Sequence, residues 1–430
     1  MQAQKILGKY LGRHPLLTSA LEWDGAAPSV VVVIPAYKEQ EYLQNTLLSL
    51  SSAAAPSGRV LVVVVINTGE KDPPALVAEQ KTFAARLRSE ISVALPNWMK
   101  LEVLEAYGLS AKFFGAGLAR KIGMDAATEL FYRLEQPEGI LLTLDADTLV
   151  RANYFQEVEQ WFAEGKRQAA NLFFEHPLEG GDFSEERYEG ITRYELHLRY
   201  LLQGHRYAGF PYAFHAMGSA IAVRALAYAR AGGMPRRQAG EDFYFLQKLI
   251  PQGGFGEIQT TSVQPSPRIS DRVIFGTGAA MNSLLAGEQK VGVGLTYNFQ
   301  AFADLKVFFE LRQELFALQA EDYEAWTYKL SGPLRSFLLN AHFFEDLEVL
   351  KKDCASELTF SKRFFELFTA FKVVKYLNYV HEHFFEQAPV FDMALTLLEH
   401  MGLNCDACWF EKELLLRYRE LEQEKPWFIA

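Results

Sequence analysis

Residues Ile140–Thr148 read ILLTLDADT, a short apolar run that ends in two aspartates one residue apart. An apolar run of strand length, without polar alternation, is typical of a strand that is buried on both faces of a sheet. At a strand end or tight turn, Asp145 and Asp147 can both face the crevice in which α/β sheets bind ligands. Paired carboxylates suit Mg²⁺ or Mn²⁺ with substrate phosphates, although solvated turn aspartates produce the same pattern.

Similar apolar runs, separated by segments with helical spacing, occur on the N-terminal side of this stretch. The runs are Val30–Ile34, Val60–Ile66 and the shorter Leu101–Glu105, and the helical segments are Glu41–Leu50 and Gly117–Leu134. Continuous apolar strands that alternate with helices indicate a mostly parallel sheet with helices on both faces. The sequence therefore predicts an α/β fold.

The rest of the chain divides by composition. Residues 1–28 are expected to form a helical leader, and the sheet pattern occupies residues 29–150. Residues 151–294 are mixed, and the glycine-rich stretch before residue 295 is interpreted either as a mobile flap or as a simple surface loop. Residues 295–430 are predicted to be helical, with an apolar and aromatic stripe from Phe364 to Phe384 that indicates core or inter-helix packing.

Composition and charge exclude several classes of protein. The chain has 430 residues, of which 49% are hydrophobic and 22% charged, as in ordinary globular proteins. A net charge of −10 disfavours a non-specific nucleic-acid binder. No apolar run approaches the ~20 residues that span a bilayer, and the N-terminus lacks a signal-peptide pattern. We expect a cytoplasmic protein, with peripheral contact with the inner face of the membrane left open.

Three further segments carry residues suited to the chemistry of a phosphate ligand. Pro35-Ala-Tyr-Lys-Glu39 follows the first strand, where a ligand at the sheet edge would meet it. Glycines ahead of Arg120 expose backbone N–H groups at a helix start beside a positive charge. Glu241 and Asp242 open an apolar helix, where a carboxylate could take a proton from a hydroxyl or simply favour the helix start.

Together these segments resemble the ordered motifs of family 2 glycosyltransferases with the GT-A fold. The motifs, in chain order, are IPAYKEQ, INTGEKD, GAGLARKIGMDAA, LTLDADT, GSAIAVR and GEDFYFLQKL. They cover about residues 29–250, roughly half of the chain. The resemblance implies a nucleotide-sugar-binding half at residues 29–150 and an acceptor-binding half at residues 151–294. The helical region from residue 295 lies outside it.

The resemblance implies a UDP- or GDP-sugar as donor, Mg²⁺ or Mn²⁺ as cofactor, and an inverting attack by an acceptor hydroxyl. The acceptor, whether a saccharide, a lipid-linked group or a small molecule, and the oligomeric state stay open. The implied nucleotide-binding residues are Pro35, Tyr37, Glu39, Asn67, Thr68, Arg120 and Asp145, with Gly218 and Ser219 against the sugar or acceptor. The implied metal ligands are Asp147, directly, and Asp145. The implied catalytic base is Asp242, supported by Glu241.

Some features depart from the family pattern and leave alternatives open. Asn67-Thr68 replaces the usual acidic pair after the second strand, and no third metal ligand can be assigned beyond the candidates His176 and His215. Arg268 and Arg272 are either additional phosphate candidates or surface charges. The alternatives are a retaining transferase of the same fold that makes a small glycoside, a nucleotidyltransferase, and a non-catalytic sugar-nucleotide-binding protein.

Overall fold

A computed structural model of the chain describes residues 2–270 and 276–430. Its centre is a nine-stranded sheet, and a second, three-stranded sheet of very short strands lies in the C-terminal part. The strands are β1 Val30–Ala36, β2 Val60–Gly69, β3 Met99–Leu109, β4 Ile140–Thr143, β5 Thr148–Val150, β6 Ala169–Phe174, β7 Ile221–Arg224, β8 Phe255–Pro265, β9 Lys290–Val291, β10 Gly294–Thr296, β11 Ala388–Pro389 and β12 Phe428–Ile429.

The central sheet is largely parallel. Its strand order is β12-β8-β6-β7-β4-β1-β2-β3, with β5 paired to β8. Strands β1 to β4 are parallel neighbours, and β6 is parallel to β8. Strand β7 runs antiparallel to both β4 and β6. The start of β7 therefore lies at the same edge as the carboxyl ends of the parallel strands.

The apolar strands are buried on both faces, as the sequence predicts. Val30, Val32 and Ile34 of β1 belong to one hydrophobic cluster, whereas Val31 and Val33 belong to a second cluster across the sheet. Because side chains alternate along a strand, a run without polar residues must be covered on both sides to keep its apolar surface from water. Helices provide this cover on each face.

Eighteen α-helices are described, and those from α10 onward form a C-terminal helical region. The N-terminal helices are α1 Gln2–Arg13, α2 Leu43–Ser51, α3 Pro74–Arg86, α4 Ala116–Arg133, α5 Tyr154–Phe162, α6 Glu185–Tyr207, α7 Ala225–Arg230, α8 Glu241–Leu249 and α9 Thr277–Leu285. The C-terminal helices are α10 Phe299–Leu311, α11 Glu314–Ala317, α12 Tyr323–Thr327, α13 Gly332–Asn340, α14 Phe343–Lys352, α15 Glu357–Leu367, α16 Ala370–His383, α17 Val390–His400 and α18 Glu411–Glu424.

The aromatic stripe predicted from Phe364 to Phe384 is not one helical face. Helix α15 ends at Leu367, and Thr369 begins α16 by accepting a hydrogen bond from the N–H of Lys372. The N-terminal end of the stripe is buried, whereas Phe371 is 43% exposed. A side-chain cap offers the backbone an alternative to a continuous helix, and periodicity alone does not reveal it.

The predicted fold class is confirmed: the chain is a mixed α/β protein with a largely parallel sheet, flanking helices and a C-terminal helical region. Part of the glycine-rich stretch before residue 295 is helix α9, so it is not all irregular loop. No helix within the described ranges combines the length and the apolar character needed to cross a bilayer.

Candidate active site

Most of the expected site residues lie at one edge of the sheet. This edge receives the carboxyl ends of β1, β2, β4 and β8 and the start of β7. Tyr37 and Glu39 follow β1, Asn67 and Thr68 end β2, and Gly218 and Ser219 precede β7. Because β4 lies between β7 and β1, this edge brings together side chains that are far apart in the chain, such as Tyr37 and Ser219.

The two aspartates of ILLTLDADT lie in a turn, not within a strand. Strand β4 ends at Thr143, and the N–H of Thr148 closes the turn by donating to the carbonyl oxygen of Asp145 at 3.1 Å. The hydroxyl of Thr46 donates to the carbonyl oxygen of Ala146 at 2.8 Å and anchors the turn to α2. The turn places Asp145 and Asp147 against two different arginines.

Arg120 connects Asp145 to the acidic pair at the start of α8. Its side chain is 3% exposed, its Nη2 lies 2.7 Å from Oδ1 of Asp145, and its Nη1 donates to Oε1 of Glu241. Although burial disfavours the guanidinium charge, Asp145, Glu241 and Asp242 raise the pKa of Arg120 above its ordinary value. Arg120 therefore contacts protein carboxylates directly and holds the two acidic motifs together.

Arg120 and Glu241 fit together because two neighbouring residues are glycines without side chains. A Cβ atom on Gly218 would lie 2.8 Å from Nη2 of Arg120, and one on Gly117 would lie 2.7 Å from Cγ of Glu241. Neither distance is compatible with a side chain unless the charged pair moves. The glycines of the two motifs are thus explained by the close approach of Arg120 and Glu241.

Asp242 is half-buried at the first turn of α8, which follows Gly240 in a left-handed conformation with φ of 67°. Its Oδ1 accepts a hydrogen bond from the N–H of Phe243 at 2.7 Å. Burial, and then the neighbouring Glu241 carboxylate, raise the pKa of Asp242 to about 6, while Arg120 acts in the opposite direction. Burial, and then Asp242, raise the pKa of Tyr194 on α6 to about 12, so the two side chains share one environment.

Arg268 holds the other aspartate of the turn. Its Nε donates to Oδ2 of Asp147, and its Nη2 lies 2.7 Å and 3.0 Å from the two carboxylate oxygens of Glu39. Burial raises the pKa of Asp147, Arg268 opposes this, and Asp145 adds to it. Arg272, the companion candidate, lies outside the described residues.

Tyr37 is held in place by two residues to which the sequence assigned no role. Its hydroxyl donates to Oδ1 of Asp72 at 2.9 Å, and its ring meets the ring of Phe114 edge-on at 5.0 Å. The other oxygen of Asp72 accepts from the N–H of Gly69 at 2.8 Å. An aspartate three residues beyond a strand-ending glycine is a recognisable turn signal, whereas the Phe114 contact has no sequence signature.

The end of β2 and the start of β7 contain buried polar atoms without partners among the described residues. Asn67 is 1% exposed, and neither its amide oxygen nor its amide nitrogen has a hydrogen-bond partner there. The hydroxyl of buried Ser219 also has no hydrogen-bond partner among the described residues. In contrast, the hydroxyl of Thr68 accepts from the N–H of Gly108 at 3.2 Å, and Pro35 is buried within β1. Because an unpaired buried polar group is costly, each of these atoms is available to a water molecule or to a ligand.

The two candidate histidines belong to a separate buried ionic cluster. His176 lies 2.9 Å from Glu195, and His215 lies 3.2 Å from Glu422 of α18. Within residues 2–270 and 276–430, no group of three His, Cys, Asp or Glu side chains is arranged to hold a metal ion. Asp145 and Asp147 still offer hard oxygen atoms of the kind that Mg²⁺ and Mn²⁺ prefer.

Comparison with known proteins gives limited similarity. No family model and no curated protein matches the sequence. Among solved structures, S. aureus TarS 1–349 in complex with UDP-GlcNAc matches with a TM-score of 0.41 and 13% identity over 78% of this chain and 91% of that one. The mannosyltransferase PcManGT from Pyrobaculum calidifontis, in complex with GDP-Man and Mn²⁺, matches with a TM-score of 0.34 and 13% identity over 98% and 95%. Similarity at this level transfers no function.

Proposed function

We propose that the chain is a glycosyltransferase that moves a sugar from a UDP- or GDP-sugar to an acceptor hydroxyl with inversion. The observation that carries this proposal is the contact of Arg120 with both Asp145 and Glu241, which lie 25 and 121 positions away from it. This contact joins the acidic turn that contains Asp145 to the helix start that contains Asp242, a half-buried carboxylate with a raised pKa. This combination serves both departure of a diphosphate and removal of a proton.

In the proposed reaction, the acceptor oxygen forms a bond to the anomeric carbon while the bond from that carbon to the diphosphate breaks. Asp242 takes the acceptor proton, and the leaving diphosphate keeps the electron pair. A base works best when its pKa lies near the operating pH, which the raised pKa of Asp242 approaches. Glu241 and Arg120 position Asp242 and set its charge environment.

The donor nucleotide is proposed to lie across the ends of β1 and β2. Among the residues that the structure describes, neither the donor nor the acceptor of the Asn67 amide has a partner, which suits the edge of a nucleobase. Tyr37, Pro35 and Thr68 border the same place. In this proposal residues 29–150 bind the donor, and residues 151–294 bind the acceptor.

Asp147 and Asp145 would hold a divalent metal ion. Bound there, Mg²⁺ or Mn²⁺ would stabilise the negative charge that develops on the departing diphosphate. Gly218 and Ser219 are proposed to border the sugar or the acceptor, since Ser219 has a buried hydroxyl without a partner among the described residues.

The first experiment screens thermal stabilisation of the full chain by UDP, GDP and their sugars, with and without Mn²⁺. A ligand that binds only the folded state raises its melting temperature with occupancy. The stabilising sugar nucleotide is then incubated with candidate acceptors, and release of nucleoside diphosphate and the anomeric configuration of the product are measured. Pyrophosphate release, or no stabilisation by any nucleotide, would contradict the proposal.

The variant Asp242→Asn tests the base. It should bind the donor as the unsubstituted chain does but lose transfer by about a hundredfold or more, because proton transfer by a positioned group contributes on the order of 10² to 10⁴. The matched control is Asp182→Asn, which changes an exposed aspartate of the same chain. Transfer by Asp242→Asn at the rate of the control would remove Asp242 from the mechanism.

A further inference from the structure

The guanidinium of Arg268 lies at the sheet edge between two carboxylates and an aromatic ring. Its guanidinium bridges Asp147, in the turn after β4, and Glu39, after β1. The ring of Tyr42 lies beneath the guanidinium, with 4.3 Å between Cζ and the ring centroid. All three charged side chains are largely shielded from water, with exposed fractions of 12% for Arg268, 17% for Asp147 and 10% for Glu39.

The surroundings of this place are strongly negative. Five carboxylates lie in the connected site, and two guanidinium groups accompany them among the described residues. The carboxylates belong to Glu39, Asp145, Asp147, Glu241 and Asp242, and the guanidinium groups to Arg120 and Arg268. The described residues of the site therefore present net negative charge to a diphosphate, and a divalent cation bound among them would reduce it.

The same carboxylate cannot fully serve two cations. Asp147 is one of the two residues proposed to hold the metal, yet one of its oxygens is already engaged by Arg268. Both cations bind the ionised carboxylate, and each weakens the binding of the other because their charges repel. Arginine is also the side chain whose planar donor set best fits a diphosphate once it is released from a carboxylate pair.

We propose that Arg268 is a built-in competitor of the divalent metal ion for Asp147, and that the metal displaces it towards the diphosphate. Both halves of this statement rest on the proposed function, the first on the metal ion at Asp147 and the second on the diphosphate. In the absence of a metal, Arg268 stays paired with Asp147 and Glu39 and is not available to a diphosphate. Metal binding and diphosphate binding are then coupled through one side chain.

The experiment uses the full chain without nucleotide and measures binding of Mn²⁺ from the loss of the electron paramagnetic resonance signal of free Mn²⁺. Arg268→Gln should bind Mn²⁺ about fivefold to tenfold more tightly than the unsubstituted chain, because it removes an ion-pair competitor. Arg268→Lys keeps the charge but loses the bridging geometry and should lie between the two. Unchanged or weaker Mn²⁺ binding by both variants would overturn the proposal.

Arg206 provides a matched control. Its guanidinium is shielded, pairs with Glu257 and lies 4.6 Å from the ring centroid of Trp427, away from the acidic turn. Arg206→Gln removes the same charge and should leave Mn²⁺ binding unchanged. If the Arg206 and Arg268 variants both bound Mn²⁺ more tightly by the same factor, the cause would be a general effect of charge. That result would contradict competition between Arg268 and the metal ion for Asp147.

A second measurement separates this role from a merely structural one. At saturating Mn²⁺, UDP or GDP should bind Arg268→Gln about fivefold to tenfold more weakly, because the released guanidinium is missing. Tighter Mn²⁺ together with weaker nucleotide is a pair of opposite effects that loss of folding cannot produce. If neither nucleotide binds the unsubstituted chain, the proposed function fails, and the Mn²⁺ titration still decides whether Arg268 competes for Asp147.

Discussion

The pH dependence of transfer tests the role of Asp242 most directly. Burial, and then the Glu241 carboxylate, raise the pKa of Asp242 to about 6. The base must be ionised to accept a proton, so activity should be lost as the pH falls through this pKa. About nine tenths of Asp242 is ionised at pH 7 and about one tenth at pH 5, which predicts a roughly tenfold loss of kcat/KM over this range. An aspartate with the ordinary pKa of about 3.9 would lose almost nothing.

Replacing Glu241 with glutamine sharpens this test. The substitution removes the like charge that raises the pKa of Asp242, while Arg120 continues to lower it. The acidic limb of the profile should therefore move to lower pH. The assay is the initial rate of nucleoside diphosphate release between pH 4.5 and 8, measured for both proteins at subsaturating donor. A suitable control is Glu257→Gln, a buried glutamate paired with Arg206 away from the site.

Two results would refute the reasoning. A profile that stays flat between pH 7 and pH 5 would mean that no group with the pKa of Asp242 limits the reaction. A limb that moves to higher pH in Glu241→Gln would mean that Glu241 does not act on Asp242 as a like charge. Circular dichroism at each pH distinguishes loss of activity from acid unfolding.

Three further predictions concern the supporting structure. Gly218→Ala should reduce kcat/KM by about a hundredfold, because the new Cβ would displace Arg120 from a position where small shifts matter. Thr369→Ala should lower the free energy of unfolding by about 1 kcal/mol through loss of the cap of α16. Glu195→Gln should lower it by about 3 kcal/mol, since Arg199 and Arg419, each 2.8 Å away, would lose a buried carboxylate and Glu422 would remain the other charged partner of Arg199. Urea titration measures the last two, and a change below one third of either value would contradict the assigned contact.

Each of these variants has a control elsewhere in the chain. Gly12→Ala adds a methyl group to an exposed glycine of α1 with no atom within 4 Å of the new Cβ. Thr396→Ala removes a mid-helix hydroxyl of α17 that caps nothing. Glu420→Gln weakens an ion pair with Arg417 in which Glu420 is 62% exposed, and exposed pairs contribute little to stability.

Much of the fold followed from local pattern. The β-branched runs of β1 and β2 cannot leave one face in water, so two covering layers of helices were predictable. The ends of these strands were predictable to within a few residues, because Pro35 lies one residue before the end of β1 and Gly69 ends β2. The break before Thr369 was not, because a capping side chain interrupts an apolar spacing that otherwise continues through it.

For the candidate site as well, the sequence identified the separate segments, and the structure showed which side chains meet. The sequence identified the acidic turn, the acidic helix start and the glycines near Arg120 as separate segments, and their roles remain proposals. It assigned Arg120 to the ligand, whereas the structure brings it against Asp145 and Glu241. It left open whether Arg268 met a phosphate or lay on the surface, and the structure pairs it with Glu39, 229 positions away.

By itself, the sequence determined most of the strands and helices of residues 29–150, their apolar faces, and the residues that lie at the ends of these strands. These properties depend on neighbours within a few positions, and periodicity and turn chemistry report them. Only the tertiary structure decided which arginine neutralises which carboxylate. That choice depends on the strand order and on the direction of β7, which place side chains from distant segments within a few ångströms of one another.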